Sequence, residues 1–541
     1  MCGIFSYLSK LKLTKKQISW LSKCADLSRH RGPDKSLYRI IKPNLFYAFH
    51  RLRINGLSVE GDQPMTINQN PYLSLICNGE IYNAFDVARK ENFKMETGSD
   101  CEIIIHLYEK YGIDRTIRML DGVFAFCLYD EASGRLFVGR DPIGVRALYY
   151  GETINGDIAF ASEMKSIQPL VSECQQFLPG TYSVYDIETT DFIENVRYYN
   201  YNYKGYITDD WEELKNNIRT KFYRAVEKRL MSERPIGALL SGGFDSSIVC
   251  AVLVKVFDIT NLQTFSVGLE GSPDLRYARE VAEYLGTDHH EVILTEKDML
   301  NAIPDDIYQI ETFDTTTIRA STPMYMLSKY IKENTDVTVI FSGEGSDEAS
   351  GSYLYFHNAP DDVAFENETK RLMKDLCYYD VLRCDKSTAG AGLEVRVPFL
   401  DKDFLDYYLR IPGCHKRPTK ERMEKYLLRE TFTGPDLLPD SVLWRMKEGM
   451  SDGVSSQKRG WFQIIQDHVE TKYTTTHLET ALNEYSHEPP RFKEALYYRH
   501  LFNMFYPGKD NTIPYYWLPK WSGDLVEPSA RALDNVYQFE D

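Results

Sequence analysis

Residues 239–247 read Leu239-Leu240-Ser241-Gly242-Gly243-Phe244-Asp245-Ser246-Ser247. The apolar run at 236–240 predicts a buried strand, and residues 246–256 predict a helix. A turn between a strand and a helix surrounds an anion with backbone N–H groups and a helix N-terminus. The lysine and the spacing of a Walker loop are missing here. A plain tight turn is the alternative, but Asp245 would repel a phosphate unless a cation lay between them. The turn therefore predicts a magnesium–phosphate site.

Strands and helices alternate around this turn, which predicts a doubly wound parallel sheet. The other predicted elements are helices over residues 211–231 and 275–285 and strands over residues 264–267, 290–294 and 337–341. Ligands of such sheets bind beyond the carboxyl ends of the strands. A second acidic loop at 342–348 follows the last strand, so Asp347 is expected beside Asp245 at one metal–pyrophosphate site. Beyond residue 360 the chain is predicted to be mostly helical.

The first 190 residues contain many short β-branched and aromatic runs, which are typical of strands. The predicted strands span residues 45–49, 72–78, 123–129, 136–139, 158–162 and 181–185, with one helix over 101–111. This density predicts two packed sheets with a few covering helices. Residues 191–210 show no clear period and are predicted to be a linker. The sequence thus divides into residues 1–190, the linker 191–210, and residues 211–541.

The charge balance excludes some classes of partner. The chain has 541 residues, with 63 Lys plus Arg against 79 Asp plus Glu and a net charge of −16. Such a protein has no overall attraction to nucleic acid or anionic membranes, and no apolar run approaches the roughly 18 residues of a membrane span. The ten cysteines include no Cys-x-x-Cys pair, and no signal-peptide pattern follows Met1. These features predict a soluble, cytoplasmic protein with reduced thiols and without a nucleic-acid or membrane partner.

The chain begins Met1-Cys2-Gly3-Ile4. The small residue at position 2 permits removal of Met1, which would leave Cys2 with a thiol and a free α-amine. An α-amine with a pKa of about 7.7–8.0 can act as general base for its own thiol, so no histidine is required. The alternative is a chance cysteine at position 2. The first interpretation predicts an N-terminal nucleophile.

Three downstream segments favour the nucleophile. Arg51 ends a predicted strand and is suited to bind an α-carboxylate with two hydrogen bonds, while Asp100 or Glu80 could accept from an α-ammonium. The amide of Asn78 and the N–H of Gly79 could form an oxyanion hole. Taken alone, Asn-Gly is the commonest hairpin-turn dipeptide, so a type I′ turn is the alternative there.

Four segments in order closely resemble the N-terminal-nucleophile glutaminase domain of class II amidotransferases: MCGI at 1–4, RHRGPD at 29–34, NGEIYN at 78–83 and GRDPIG at 139–144. The resemblance covers residues 1–190. It implies that the Cys2 thiolate attacks the side-chain amide of glutamine, that ammonia is released, and that the thioester is hydrolysed. The implied glutamine-binding residues are Arg51, Leu52, Arg53, Ile54, Asn55, Asn78, Gly79, Glu80 and Asp100.

The turn at 241–247 resembles the loop of N-type ATP pyrophosphatases, which cleave ATP between its α- and β-phosphates and adenylate an acceptor. Acceptors in this class include nucleotide precursors, argininosuccinate precursors and transfer RNA. The segments at 311–323, 380–383, 392–401 and 444–453 resemble those of asparagine synthetases, and with them the resemblance extends over nearly all 541 residues. It implies Mg²⁺ as cofactor, and ATP, aspartate and glutamine as small-molecule substrates. It leaves the oligomeric state open, with a homodimer as one option.

The resemblance also implies residue roles in the second half. The implied ATP-binding residues are Leu240, Ser241, Gly242, Gly243, Asp245, Ser246, Val267, Ser342 and Gly343. Asp245 and Asp347 are the implied metal ligands. Arg319 and Lys447 are the implied cations that neutralise developing phosphate charge, and Glu344 is the carboxylate that handles ammonia or its proton.

Three other functions compete with this one. A relative that adenylates another carboxylate, as β-lactam synthetases do, would have a degenerate N-terminal site, whereas Cys2, Arg51, Asn78 and Asp100 are all present. A catalytically silent scaffold would usually have lost the nucleophile or the metal aspartates. A transfer-RNA-modifying enzyme would need a basic face, which a net charge of −16 disfavours.

Overall fold

A computed structural model describes residues 1–201, 205–434, 436–523 and 525–532. The strands are β1 (Gly3–Leu8), β2 (Lys35–Lys42), β3 (Leu45–Arg51), β4 (Met65–Ile67), β5 (Asn70–Ile81), β6 (Gly122–Asp130), β7 (Arg135–Arg140), β8 (Tyr149–Glu152), β9 (Ile158–Ala161), β10 (Gln175–Gln176), β11 (Thr181–Asp186), β12 (Phe192–Arg197), β13 (Ile236–Leu239), β14 (Gln263–Leu269), β15 (Asp288–Leu294), β16 (Val339–Phe341) and β17 (Glu394–Arg396). The α-helices are α1 (Lys15–Asp26), α2 (Ala84–Glu91), α3 (Ile103–Met119), α4 (Met164–Ile167), α5 (Trp211–Lys228), α6 (Phe244–Ala251), α7 (Pro273–Leu285), α8 (Glu296–Ile310), α9 (Thr315–Asn334), α10 (Ser346–Ser350), α11 (Asp362–Asp375), α12 (Asp380–Gly390), α13 (Lys402–Tyr408), α14 (Gly413–Lys416), α15 (Tyr426–Phe432), α16 (Asp440–Leu443), α17 (Met450–Gly453), α18 (Trp461–Glu470), α19 (Thr475–Glu484) and α20 (Lys493–Phe505).

The first part of the chain forms two six-stranded antiparallel sheets, in the orders β10-β8-β9-β1-β3-β2 and β12-β11-β7-β6-β5-β4. A buried apolar layer lies between them, with Ile4, Tyr47 and Phe49 contributed by one sheet and Ile76 and Val138 by the other. The predicted sandwich of two sheets is therefore confirmed. Its inner layer forms because alternate side chains of each strand point to the same face.

The segment predicted as a linker contains a strand. β12 pairs antiparallel with β11, with Thr181 opposite Arg197. The linker prediction was wrong for residues 192–197, because backbone pairing with β11 orders a segment whose side chains are mostly exposed and carry no apolar period. Helix α5 begins at Trp211 as predicted, since Asp210 and Glu213 form a capping box at its start.

The second part contains a parallel five-stranded sheet in the order β15-β14-β13-β16-β17. The chain moves outward from β13 to β15 and then returns to the other side of β13 with β16. The order therefore reverses between β13 and β16, which is the switch point at which ligands of doubly wound sheets bind. The turn at 241–247 and the acidic loop at 342–348 leave these two adjacent strands. The predicted doubly wound sheet is confirmed.

After β17 the described chain is helical, from α13 to α20, as predicted. The two parts of the molecule share one apolar cluster, in which Leu52, Ile54 and Val145 of the first part pack with Val395 and Val397 of the second. All ten cysteines lie in described residues and are free thiols, as predicted. Within the residues that the structure describes, no helix is long and apolar enough to cross a membrane.

Candidate functional site

Cys2 lies directly before β1, at the boundary between the two parts of the molecule. Its thiol approaches the carbonyl oxygen of Leu52 at 3.7 Å, and Met1 next to it is buried, with its amine 3.5 Å from the carbonyl oxygen of Leu393. Burial raises the pKa of the Cys2 thiol to about 11 and lowers the pKa of the Met1 amine to about 6. A thiol in this setting is neutral, so it needs a base close to it to become a nucleophile.

Asn78 has a fully buried side chain whose oxygen and nitrogen both lack a hydrogen-bond partner among the described residues. Leaving a buried polar group unpaired costs about 1–3 kcal/mol, so such an amide indicates a place where a ligand binds. The alternative of a type I′ turn is wrong, because β5 continues through Asn78 and Gly79 to Ile81. At Gly79 a Cβ atom would lie 2.3 Å from the carbonyl oxygen of Val123, so only glycine fits.

We expect Asn78→Ala to lower glutamine hydrolysis by about 10²–10³-fold, the usual effect of removing one oxyanion donor. The change removes an unpaired amide, so the melting temperature should stay the same or rise. Steady-state glutaminase kinetics measure the effect, and the exposed Asn155→Ala is the matched control. A wild-type turnover number for Asn78→Ala would exclude the side chain as an oxyanion donor.

Arg51 ends β3, and its guanidinium is held by the loop that follows. It donates to the carbonyl oxygen of Ser58 at 2.7 Å, to Asp62 Oδ1 at 2.6 Å and to the carbonyl oxygen of Gly56 at 2.5 Å. Arg51 therefore shapes the loop at 52–62 in this structure.

The predicted glutamine-binding residues 52–55 belong to this loop. Leu52 and Ile54 are buried, Arg53 Nη2 lies 3.4 Å from Asp62 Oδ1, and Asn55 donates to Glu80 Oε2 at 2.6 Å. The loop also touches the second part of the chain, because Gly56 N donates to a carboxylate of residue 233 there. The loop at 52–62, which carries the predicted glutamine-binding residues 52–55, thus forms one wall of the candidate site around Cys2.

Glu80 and Asp100 lie buried beside this wall, next to Glu394 and Arg396 of the second part. Asp100 Oδ2 accepts from Ile81 N at 2.6 Å, and burial raises its pKa to about 6. Burial and the carboxylate of Glu394 raise the pKa of Glu80 well above its usual range. Both predicted partners for an α-ammonium are therefore buried carboxyls whose ionisation is opposed by burial.

A cavity lies at the carboxyl ends of β13, β14 and β16. The predicted residues that line it are Leu240, Ser241, Gly243, Asp245, Ser246, Val267, Ser342, Gly343, Glu344, Asp347 and Lys447. Ser246 Oγ closes the turn by accepting from Ser241 N at 3.1 Å. Gly243 caps α6 without a side chain, so the first turn of the helix keeps N–H groups for a ligand.

Two glycines of these loops are required by close packing. Gly242 lies behind the turn, with φ +70°, and a Cβ atom there would be 2.4 Å from Ala278 N in α7. Its glycine therefore lets the turn rest on α7, and the prediction that Gly242 touches ATP stays a prediction. At Gly343 a Cβ atom would be 2.7 Å from the backbone carbon of Asp245, so this glycine lets the two loops meet.

Asp245 and Asp347 lie together around the Lys425 ammonium group, and their predicted role as metal ligands stays a prediction. Lys425 Nζ donates to Asp245 Oδ2 and to Asp347 Oδ1, each at 2.5 Å, and Lys447 Nζ donates to Asp347 Oδ2 at 2.6 Å. Burial opposes ionisation of Asp347, but the two ammonium groups hold its pKa well below the usual range. The other oxygen of Asp245, Oδ1, is buried without a partner among the described residues.

This donor set fits Mg²⁺. The ion is bound through one or two carboxylates together with substrate phosphates and water, and Asp245 with Asp347 supplies two carboxylates. The unpaired Oδ1 of Asp245 is an acceptor for such a cation. The described residues hold no cluster of three or more metal-ligating side chains, so a metal here would complete its coordination with phosphate oxygens or water.

Glu344 is clamped by Arg383 of α12. Arg383 Nη1 and Nη2 donate to the two carboxylate oxygens of Glu344 at 2.8 and 2.9 Å, and Nη2 also donates to Asp380 at 2.7 Å. Burial raises the pKa of Glu344 above its ordinary value, although Arg383 opposes this. A carboxylate in this state can take up and release a proton.

Arg319 does not line the cavity in this structure, and its predicted role at the phosphates stays a prediction. On α9, Thr316, Ala320 and Met324 face the cavity, and Arg319 is rotated by about 100° from that face. Its guanidinium donates to Glu494 at 2.7 and 2.6 Å and to Glu527 at 2.5 and 3.1 Å.

The sequence analysis missed Lys425, Arg383 and Asp380 as site residues. Lys425 is 180 positions from Asp245, inside a charged helical region without a recognisable local signal. Arg383 and Asp380 belong to the segment at 380–383 that resembles asparagine synthetases. The resemblance alone did not show which side chains they contact. Only the fold brings these charges together.

Comparison with known proteins agrees with both halves of the chain. A family model described as glutamine amidotransferase domain matches residues 1–191, and one described as asparagine synthase matches residues 217–364 and 359–522. The asparagine synthetase [glutamine-hydrolyzing] of Gallus gallus is 43% identical over 559 aligned residues, which cover 98% of this chain and 98% of the relative. The protein of the same name from Homo sapiens is 42% identical over the same extent.

Proposed function

Because the chain belongs to the family of glutamine-hydrolysing asparagine synthetases, we propose that its two sites carry out consecutive steps of glutamine-dependent asparagine synthesis. One observation carries the proposal. Asp245 and Asp347 both accept hydrogen bonds from the Lys425 ammonium group at the switch point of the parallel sheet. This arrangement suits cleavage of ATP to AMP and pyrophosphate.

In the first site the Cys2 thiolate attacks the side-chain amide carbon of glutamine. With Met1 removed, the α-amine of Cys2 takes the thiol proton. The Asn78 amide and Gly79 N–H donate to the oxyanion, ammonia leaves, and water hydrolyses the thioester to glutamate. Asp100 accepts from the substrate's α-ammonium. Arg51 either binds the α-carboxylate of glutamine or holds the loop at 52–62 in place. The hydrogen bonds of Arg51 to that loop support the second role.

In the second site the side-chain carboxylate of aspartate attacks the α-phosphorus of ATP, and pyrophosphate leaves. Mg²⁺, held by Asp245 and Asp347, would neutralise phosphate charge when bound. Lys425 and Lys447 supply fixed positive charge beside the same phosphates. Ammonia then attacks the β-aspartyl adenylate, AMP leaves, and Glu344 accepts the excess proton to give asparagine.

The two sites are connected through α12 and the buried interface. Arg383 on α12 holds Glu344, while Asp385 two residues later accepts from Arg31 Nη2 at 2.9 Å. Arg31 Nε in turn donates to the carbonyl oxygen of Cys2 at 3.0 Å. Ammonia released at Cys2 would therefore travel between the domains, beside the shared apolar cluster, to reach the adenylate.

The test is incubation with aspartate, Mg-ATP and glutamine labelled with ¹⁵N in its amide. We expect labelled asparagine, glutamate, AMP and pyrophosphate in equal amounts, with little dilution of the label by excess unlabelled ammonium. ADP and phosphate would overturn the proposal. The absence of AMP and pyrophosphate with aspartate as the acceptor would favour a relative that acts on another carboxylate. The charge and free thiols favour the cytoplasm, and gel filtration decides whether the enzyme is a homodimer.

Glutamine binding should depend on the ionisation of Asp100. Since burial raises its pKa to about 6, the carboxyl is ionised above that pH and neutral below it. A neutral carboxyl cannot pair with an α-ammonium, so the KM for glutamine should rise as the pH falls below about 6. Glutaminase kinetics across pH measure this. Asp100→Asn should have a high KM at every pH, and a wild-type pH profile for that variant would exclude Asp100.

A further inference from the structure

We infer that residues 525–532 form a C-terminal strap that positions the adenylation loop, residues 445–449, through Arg531. The strap lies far along the chain from the turn at 241–247, yet its side chains contact the loop that carries Lys447. Arg531 is a positioning residue in this inference, because it acts through Glu448 and touches no substrate. The inference rests on the role proposed above for Lys447.

Arg531 joins the strap to the adenylation loop. Its Nη2 donates to Glu448 Oε1 at 2.6 Å, its Nη1 donates to the carbonyl oxygen of Ser456 at 3.0 Å, and its side chain is only 8% exposed. Ser529 makes a second link, with its hydroxyl donating to Asp452 Oδ1 at 2.8 Å. Ser529 and Arg531 thus fix the strap to the segment that contains the loop.

The contacts continue from Glu448 to the nucleotide turn. Arg445 Nη2 donates to Glu448 Oε2 at 3.2 Å and to Asp274 Oδ1 at 2.8 Å, and Arg445 Nη1 lies 3.5 Å from the carbonyl oxygen of Ser241. Glu448 therefore stands between Arg531 on one side and Arg445 on the other. Losing Arg531 would leave Arg445 as its one remaining ion-pair partner among the described residues.

The adenylation loop needs such support because it has no regular secondary structure. Residues 445–449 form neither helix nor strand, and Lys447 between Arg445 and Glu448 reaches Asp347 at 2.6 Å. A shift of about 1 Å in a group that stabilises the transition state can cost up to a hundredfold in rate. The strap would hold the Lys447 ammonium at the phosphates.

Arg319 provides the other anchor of the strap. It binds Glu527 with two hydrogen bonds while Glu494 of α20 holds its remaining edge, and Gln466 of α18 donates to Glu527 Oε2 at 2.7 Å. Glu527 thus fastens the strap to α9 and α18, and Arg319 extends the contact to α20. This contact explains why Arg319 faces away from the cavity.

The test is Arg531→Met, measured by aspartate-dependent exchange of labelled pyrophosphate into ATP, which reports adenylation without ammonia. We expect exchange to fall about tenfold to a hundredfold, the range seen when a supporting contact is lost. Glutamine hydrolysis and the melting temperature should stay at wild-type values. Arg531→Lys should recover part of the exchange, and Arg459→Met, at an exposed ion-paired arginine, is the matched control.

Two further measurements separate positioning from general stability. Hydrogen–deuterium exchange should rise at residues 445–451 in Arg531→Met and stay unchanged in the glutaminase half. In a Glu448→Gln background, Arg531→Met should cause little additional loss, because the contact is already broken.

The inference is overturned if Arg531→Met exchanges pyrophosphate at the wild-type rate, or if hydrolysis and melting temperature fall in parallel with exchange. The variant Lys447→Met shows whether a negative result contradicts the strap inference alone or also the proposed role of Lys447. If Lys447→Met keeps full exchange, the role of Lys447 is wrong and the inference falls with it. If Lys447→Met loses exchange and Arg531→Met keeps it, only the strap inference fails.

Discussion

Replacing Cys2 by alanine should lower glutamine hydrolysis by several orders of magnitude, the scale on which removing a catalytic nucleophile acts. Glutamine-dependent asparagine formation should fall with it. Ammonium salts at alkaline pH, where free NH₃ is available, should restore synthesis, because the adenylate forms in the other part of the chain. The protein should stay folded, since the change removes one small side chain whose thiol makes a weak 3.7 Å contact to Leu52.

Product analysis with glutamine and with ammonium as alternative donors measures this separation. Cys414→Ala, at an exposed thiol, is the matched control and should change neither activity. A chain that retains Met1 should behave like the alanine variant, because an amide nitrogen cannot act as the base. Full glutamine-dependent activity of Cys2→Ala would refute the N-terminal-nucleophile mechanism for this protein.

Asp245→Asn should lower asparagine synthesis by on the order of a thousandfold or more with either nitrogen donor, because charge stabilisation at transferring phosphates has that magnitude. The substitution removes one of the two carboxylates that meet at the cation site. Glutamine hydrolysis measured alone should continue, since Cys2, Asn78 and Asp100 lie in the other part of the chain.

Pyrophosphate exchange and magnesium titration of ATP binding together measure the effect. Calorimetry should show weaker Mg-ATP binding even where no turnover is measured. The exposed Asp288→Asn is the matched control. Wild-type synthesis by Asp245→Asn would mean that the turn at 241–247 does not hold the phosphates.

Local sequence signals predicted much of the architecture. The strand, turn and helix around Asp245 were predicted because apolar runs, a capping residue and turn glycines act within a few neighbouring residues. Short alternating runs likewise predicted the sandwich, and an N-terminal cysteine carries its chemistry in its own α-amine. Strand β12 was missed because its order comes from pairing with β11 and not from an apolar period.

The candidate sites divide in the same way. Roles for Cys2, Asn78 and Asp245 could be predicted because the chemistry of each motif is contained in its own segment. The dipeptide Asn78-Gly79 was ambiguous, since a turn and a strand are both open to it locally. Only pairing with β6, where Gly79 lies opposite Phe124, excludes the turn.

The sequence by itself predicted the candidate nucleophile, the two aspartates proposed as metal ligands, and the kind of fold that presents them. Tertiary structure alone decided which charges meet. Lys425 reaches Asp245 across 180 positions, and Arg319 faces Glu494 and Glu527 because one residue along a helix turns a side chain by about 100°. The physical reason is the distance along the chain over which each effect acts. Backbone preferences act between neighbouring residues, whereas ion pairing and burial depend on groups that only the folded chain brings into contact.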